Sequence, residues 1–194
     1  TFFVPLSDNL EIWKLTIKNN GDSEKDLSIF TYAEFALFDA INDRDNYQYT
    51  YNIASCYAEG NYIFHDTLYQ SRGILAYFCS NKDITAYECN RETFIGPYNT
   101  EAAPRGVISG KLTSTNISGG NPIGSHHLHI HLKPGEEKEF VFVLGIAEKK
   151  EDAGTFAEKY FDNRMLGEAF SHIKDYWQQI FDRYRIDTPS SDIN

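Results

Sequence analysis

The chain has 194 residues, of which 41% are hydrophobic and 24% charged, and its formal net charge is -10. This composition is typical of a folded globular protein and excludes intrinsic disorder, and the length suits one large domain or one domain with an appendage. Because Lys and Arg number 18 against 28 Asp and Glu, we expect no nucleic-acid partner and no anionic membrane partner. The apolar runs are shorter than a transmembrane helix requires.

The aromatic content is high, with 14 Phe, 13 Tyr and 2 Trp beside a single Met. Aromatic side chains pack well on pleated sheets, so this number favours a β-rich core. The same rings are also suited to stacking on sugars, although core packing is the preferred interpretation.

The first 150 residues alternate between strand-like runs and turn signals. Residues 10–18 alternate apolar and polar side chains, as a half-buried strand does, and residues 19–22 (Asn-Asn-Gly-Asp) predict a turn. Further strands, separated by short polar links, are predicted at residues 27–38, 47–57, 62–69, 74–80 and 84–89.

The later part of the chain adds a loop, a predicted hairpin and helices. Residues 96–125 are rich in Gly, Pro, Ser and Asn and predict a long structured loop. Residues 126–132 and 138–146 predict two strands of a hairpin around a tight turn at 133–136. Helical spacing of apolar residues predicts a helix over 165–185, and the charged, helix-favouring sequence from Glu148 onwards predicts a shorter helix over 151–161. The predicted fold is therefore an antiparallel β-sandwich over residues 1–147, followed by a helical linker over 148–194.

Three cysteines, Cys56, Cys79 and Cys89, show no CxxC or CxxH spacing. An odd number without such spacing argues against a disulfide framework or a closed zinc site. We expect small buried thiols in a reducing, cytoplasmic compartment. The chain begins inside a strand-like run without Met, which predicts a fragment or processed piece with an incomplete sandwich.

A histidine-rich strand is the most conspicuous candidate for chemistry. Period two places His127, His129 and His131 on one face, opposite Leu128 and Ile130. Two neighbouring imidazoles can share a metal, but the outer two lie about 13 Å apart along a strand, too far for one ion. A polar sheet face is the preferred interpretation, and we predict no metal site.

Acidic residues supply weaker candidates. Asp39, Asp43 and Asp45 lack the Ca²⁺-loop pattern and are interpreted as a solvated loop. Glycoside chemistry needs paired carboxylates, and the candidates are Glu11, Glu34, Asp66 and Glu88. Glu34 lies in an apolar run, where a partner such as Arg72 or Arg91 explains it equally well. The residues alone therefore identify no catalytic centre.

Several segments in order resemble the N-terminal domain of cellobiose phosphorylase-like enzymes, glycoside hydrolase family 94. The similarity extends over roughly residues 1–150. It rests on FFVPL at 2–6, EIWKLTIKN at 11–19, EFALFDA at 34–40, DNYQ at 45–48, RETFIGPY at 91–98, PIGSHH at 122–127 and LKPGE at 132–136.

This resemblance implies a galactose-mutarotase-like supersandwich joined by a helical linker to an (α/α)6 catalytic barrel. It implies an enzyme that cleaves β-linked gluco-oligosaccharides with inorganic phosphate, with inversion, and needs no other cofactor. The general acid and the phosphate-binding residues belong to the barrel, so the resemblance implies no catalytic residue in this chain and an inactive isolated domain. It also implies a homodimer.

The resemblance also points to a substrate-binding loop that packs near the active site of the neighbouring subunit. Family members resemble Asn-Phe-Gln-Arg-Asn there, whereas this chain has Asn46, Tyr47, Gln48, Tyr49 and Thr50. Asn46 and Gln48 keep their places, and Tyr49 replaces the typical Arg. A ring in place of a guanidinium exchanges hydrogen bonding for stacking, so the preferred sugar is open, and Tyr49 either contacts sugar or packs at the dimer interface.

The leading hypothesis is thus a non-catalytic scaffold and dimer-forming domain of a phosphorylase. One alternative is a stand-alone carbohydrate-binding module, which needs no helix over 165–185. Another is a small metalloenzyme built on His127 and His129, which predicts a stoichiometric metal.

Overall fold

The computed structural model describes residues 1–35, 41, 45, 52–67, 73–183 and 188–190. Its strands are β1 (Phe2–Phe3), β2 (Leu10–Lys18), β3 (Lys25–Phe30), β4 (Ala33–Glu34), β5 (Ala54–Glu59), β6 (Tyr62–Thr67), β7 (Leu75–Ser80), β8 (Ala86–Asn90), β9 (Ile117–Ser118), β10 (Pro122–Leu132) and β11 (Glu137–Ala147). Its helices are α1 (Arg91–Ile95), α2 (Arg105–Ser109), α3 (Lys150–Ala157), a 3₁₀ turn (Glu158–Phe161) and α4 (Asn163–Arg183).

The strands form two antiparallel sheets. One has seven strands in the order β1-β2-β11-β7-β6-β5-β9, and the other has four, with β10 paired to β3, β4 and β8. The predicted mainly β fold, a sandwich followed by helices, is confirmed. No helix in the described ranges is long and apolar enough to cross a bilayer.

The sheets and helices make three layers, with a core on each face of the larger sheet. Between the sheets, Phe78 and Phe142 of the larger sheet pack against Leu128 and Ile130 of the smaller one. On its other face the larger sheet packs against the helices through a second set of side chains that includes Tyr77, Val143, Ala153, Ala157 and Leu166. The larger sheet is thus covered on both faces, and its aromatic residues contribute to both cores.

β2 carries apolar side chains on both of its faces, so this one strand packs into both cores. Leu10 and Ile12 belong to the core beneath the helices, whereas Trp13, Leu15 and Ile17 pack against the core between the sheets. Successive side chains of a strand point to opposite faces, so a strand between two layers needs apolar residues on both. The predicted bounds of this strand are confirmed.

The predicted hairpin of residues 126–132 and 138–146 is wrong. β10 lies in the four-stranded sheet and β11 pairs with β2 and β7 in the other, so the tight turn at 133–136 crosses between sheets. The β2–β3 connection crosses beside it, and Asn19 links the two crossings. The Asn19 Nδ2 donates to the carbonyl of Leu132 (3.1 Å), and the Asn19 backbone carbonyl accepts from the Gly135 amide (2.9 Å).

Three other predicted boundaries change. The strand predicted at 27–38 is interrupted after Phe30, where the Thr31 hydroxyl accepts a hydrogen bond from the His126 amide (2.9 Å). The strand predicted at 47–57 begins at Ala54 within the described residues, and the predicted loop 96–125 contains α2, β9 and the first residues of β10. The helix predicted at 151–161 is confirmed as α3 and its 3₁₀ extension, and the longer helix as α4, whose first turn is capped by Asp162 Oδ1.

Candidate functional site

The three residues that the family resemblance implicates in substrate binding, Asn46, Gln48 and Tyr49, lie outside the described residues. The structure does describe how the ends of their segment are held. Phe35 on one side and Ile53 on the other are 7% and 8% exposed. Both ends of the segment are therefore anchored in the sandwich.

A charged cluster lies at the first of these ends. Arg91 Nε donates to Glu34 Oε1 at 2.8 Å, the Tyr32 hydroxyl donates to the same oxygen, and the Arg91 Nη2 pairs with Glu101. The register of β10 brings these residues together, because Pro122 pairs with Asn90 and Ile123 with Glu34. The predicted pairing of Glu34 with an arginine is confirmed for Arg91.

The cluster keeps Glu34 ionised. Partial burial raises the pKa of its carboxyl, but hydrogen bonds from Tyr32 and Arg91 together with the Arg91 charge outweigh this, so the pKa is lowered. The same contacts stabilise the protonated forms of the two partners. Burial and the Glu34 hydrogen bond raise the pKa of Tyr32, and the Glu34 hydrogen bond raises the pKa of Arg91. A carboxylate held ionised accepts hydrogen bonds but is a poor general acid.

An open groove of about 390 Å³ adjoins Glu34, at the end of the sandwich where the segment departs. Glu11, Asp8 and Phe35 also line it. Asp8 is tied to the helical layer by Lys159 Nζ at 2.8 Å and by the Tyr160 hydroxyl. Although burial raises the pKa of Asp8, these hydrogen bonds lower it overall. The groove therefore offers acceptor groups suited to hydroxyl-rich ligands.

The four carboxylates proposed as catalytic candidates are only partly brought together. Glu11 and Glu34 share the groove. Glu88 is 1% exposed and accepts from the amides of Cys89 and Asn90 at 3.1 Å each. Its carboxylate therefore stabilises the backbone at the end of β8. Asp66 lies on β6, opposite Ser55. No acid–base pair emerges from the described members of this set.

The predicted facing of the histidine strand is confirmed. His129 and His131 are exposed on one side, while Leu128 and Ile130 are buried on the other. His127 is buried by stacking on Phe30, with ring centroids 4.4 Å apart. His131 Nδ1 lies 3.0 Å from Asp26 Oδ1. Among the described residues, no group of three or more His, Cys, Asp or Glu is arranged to hold a metal ion.

The cysteines are buried and free, as predicted. Cys56 lies on the larger sheet and Cys89 on the smaller, and both belong to the core between the sheets. A hydrogen bond of the Cys56 thiol to Cys89 and burial both raise the pKa of that thiol. Burial also raises the pKa of Cys79. Thiols in such surroundings are unreactive and fill space in the core.

With this geometry in hand, the chain can be compared with known proteins. Residues 1–163 match the family described as "Glycosyl hydrolase 94, supersandwich domain". The chain belongs to this family. The family inferred from the short segments of sequence is thereby confirmed.

The relatives of this supersandwich domain include several phosphorylases. An N,N'-diacetylchitobiose phosphorylase of Vibrio proteolyticus is 30% identical over 197 residues, covering 100% of this chain and 24% of that protein. Two proteins of Paenibacillus borealis, a 3-O-beta-D-glucopyranosyl-beta-D-glucuronide phosphorylase and a solabiose phosphorylase, are 25% and 23% identical, each over 99% of this chain and 25% of their own length. The chain thus spans about a quarter of the length of these curated relatives.

Two features of the supersandwich domain were missed by sequence reasoning. The sequence indicates Arg91 only as one of two possible partners for Glu34, and it does not indicate Glu101 as the second partner of Arg91. Tyr98 lies in a segment that resembles the family, but the sequence does not predict its backbone φ of 65° or its fully exposed side chain. The dipeptide Pro97-Tyr98 in a turn is the signal that could have identified it.

Proposed function

We propose that this chain is the supersandwich part of an inverting β-glycoside phosphorylase. In this reaction an oxygen of inorganic phosphate attacks the anomeric carbon, the glycosidic bond breaks, and the leaving sugar takes a proton from an acid. The products are an α-sugar 1-phosphate and a shortened sugar. The observation that carries the proposal is the family match over residues 1–163, together with relatives that are phosphorylases of different disaccharides.

In this proposal the chain contributes scaffolding and no catalytic residue. The aspartate general acid and the phosphate site belong to an (α/α)6 barrel that is the partner of this domain. The electrostatics of the described carboxylates support this division of labour. Glu34 and Asp8 have lowered pKa values and are held by cationic and hydroxyl groups, whereas a general acid needs a carboxyl that is protonated at the working pH.

The domain would also supply substrate contacts. We assign Asn46, Gln48 and Tyr49 to the active site of the neighbouring subunit in a homodimer. The Glu34–Arg91–Glu101 cluster supports this role, because it clamps the point from which their segment departs. A rigid base reduces the conformational entropy that a binding loop loses when it engages its ligand.

Helix α4 would connect the sandwich to the barrel. Its first turns pack on the sheet through Leu166, which is 3% exposed, whereas Trp177 and Phe181 further along are 50% and 62% exposed and stack on each other at 6.0 Å. Large exposed rings on one stretch of helix are typical of a surface that another element covers. We assign that covering element to the barrel.

The test is phosphate release from α-glucose 1-phosphate with a panel of acceptor sugars. It is run on the 194-residue chain and on the full product of the gene that encodes it. We expect turnover only in the longer protein, and the accepted sugar then identifies the specificity. Turnover by the 194-residue chain alone would contradict the scaffold role, and an inactive longer protein that binds sugar would favour the carbohydrate-binding module.

A matched pair of variants of the longer protein tests the loop. Tyr49→Arg restores the side chain typical of the family, so we expect it to change the ranking of acceptor sugars, whereas Tyr49→Phe keeps the ring and the ranking. If both variants rank the acceptors as the parent does, Tyr49 does not contact the sugar.

A further inference from the structure

Tyr98 adopts a backbone conformation that is unfavourable for its side chain. Gly96 accepts a hydrogen bond from the Asn99 amide at 3.3 Å, which closes a turn with Pro97 and Tyr98 at its centre. Tyr98 occupies the third position of this turn with a φ of 65°, as in type II turns, which favour Gly or Asn at that position. Among the described non-glycine residues with positive φ, the other is the small Ser114.

In the described part of the chain no packing compensates for this strain, since the Tyr98 side chain is fully exposed. Strained residues persist where the surrounding structure holds them, and they concentrate at functional sites. The turn is held firmly: Phe94 and Ile95 before it are buried, and Arg105 behind it donates to the Thr93 carbonyl at 3.1 Å. The structure thus presents a fully exposed ring on a turn whose flanking residues are held in place.

The position of the turn connects it with the segment of the proposed site. Glu101, three residues after Tyr98, pairs with Arg91, which in turn binds Glu34 at 2.8 Å. Glu34 immediately precedes the buried Phe35, where the segment of residues 36–51 begins. One chain of ion pairs therefore joins the Tyr98 turn to the base of that segment.

We propose that Tyr98 is a saccharide-contacting residue whose ring stacks on a pyranose ring of a β-linked gluco-oligosaccharide. A tyrosine ring is a flat apolar surface with a hydroxyl at its edge, which suits the C–H face of a sugar. The residues that follow it, Asn99, Thr100 and Glu101, are exposed and polar, and they supply donors and acceptors for hydroxyl groups. The choice of a saccharide as the ligand rests on the proposed function.

The test is a titration of the isotope-labelled 194-residue chain with cellotetraose, followed by NMR. We expect the Tyr98 ring resonances to shift. Tyr98→Asn removes the ring but keeps a residue that tolerates positive φ. We expect it to weaken binding about tenfold, the upper range for one aromatic contact, without lowering the melting temperature. Tyr98→Phe retains binding, and Tyr176→Asn, which removes an exposed tyrosine of α4, is the control.

Three results would overturn the assignment: Tyr98 resonances that do not shift, a Tyr98→Asn variant that binds as the parent does, or a variant whose melting temperature falls. The last would show that the ring is needed for folding. Because the titration uses the 194-residue chain and the phosphorylase assay uses the longer protein, the two proposals fail separately. If the longer protein is an active phosphorylase but the Tyr98 resonances do not shift with cellotetraose, only this inference is contradicted.

Discussion

At the scale of single residues, Arg91 carries the clearest energetic consequence. It joins Glu34 and Glu101, but their side chains are 31%, 54% and 63% exposed, so solvent screens the interaction. We expect Arg91→Met to lower the free energy of unfolding by about 1 kcal/mol. Urea denaturation monitored by tryptophan fluorescence measures this change.

Two further variants make the Arg91 prediction specific. Arg164→Met removes an ion pair with Glu168 whose side chains are 75% and 51% exposed, and it should cost less than about 0.5 kcal/mol. Glu34→Gln combined with Arg91→Met should cost less than the sum of the single changes, since both remove the same contact. Additive effects would show that the two residues stabilise the domain independently.

At the scale of elements, Asn19 holds together the two connections that cross between the sheets. It is 5% exposed, and its Nδ2 donates to the carbonyls of Ser23 (2.8 Å) and Leu132 (3.1 Å), while its Oδ1 accepts from the Gly21 amide (3.0 Å). Asn19→Ala removes all three bonds and leaves the buried carbonyl of Leu132 without this donor, so we expect a loss of about 2 kcal/mol. Chemical denaturation checks it.

The neighbouring Asn20 is exposed and provides the matched control. Asn20→Ala should change stability by less than about 0.5 kcal/mol. Asn19→Asp keeps the acceptor for Gly21 but loses both donated bonds, so we expect it to resemble Asn19→Ala. An Asn19→Asp variant as stable as the parent would mean that the crossing turns do not depend on the bond to Leu132.

At the scale of the whole molecule, buried histidines make stability depend on pH. Burial lowers the pKa of His126 to about 3 and that of His65 to about 4, from an ordinary value of 6.5. Burial also lowers the pKa of His127. Between pH 6.5 and about 4 the unfolded chain therefore binds more protons than the folded one. Stability is fully present above pH 6.5 and falls as the pH falls through this window.

We expect each fully buried histidine to contribute up to ~1.4 kcal/mol per pH unit to this loss. Urea denaturation at intervals from pH 7.5 to pH 5 measures the slope, and this range lies above the window in which carboxylates dominate. His126→Gln should reduce the dependence of the free energy of unfolding on pH by the contribution of one buried histidine. A free energy of unfolding that stays constant from pH 6.5 to pH 5 would contradict the prediction.

Local patterns determined much of this protein. Period-two alternation predicted the extent of β2 and the polar face that carries His129 and His131, because the direction of a side chain along a strand is a local property. Helical spacing predicted α4 for the same reason, and the charged, helix-favouring sequence after Glu148 predicted α3. Short segments in order were enough to indicate the family, and the burial of the three cysteines followed from their type and spacing.

Only the tertiary structure decided which elements meet. The tight turn at 133–136 gave no sign that β10 and β11 belong to different sheets, since that depends on which apolar faces pack together across the whole chain. The pairing of Glu34 with Arg91, 57 residues apart, follows from the register of β10 with β4 and β8. These outcomes depend on contacts distant in sequence, which no local pattern encodes.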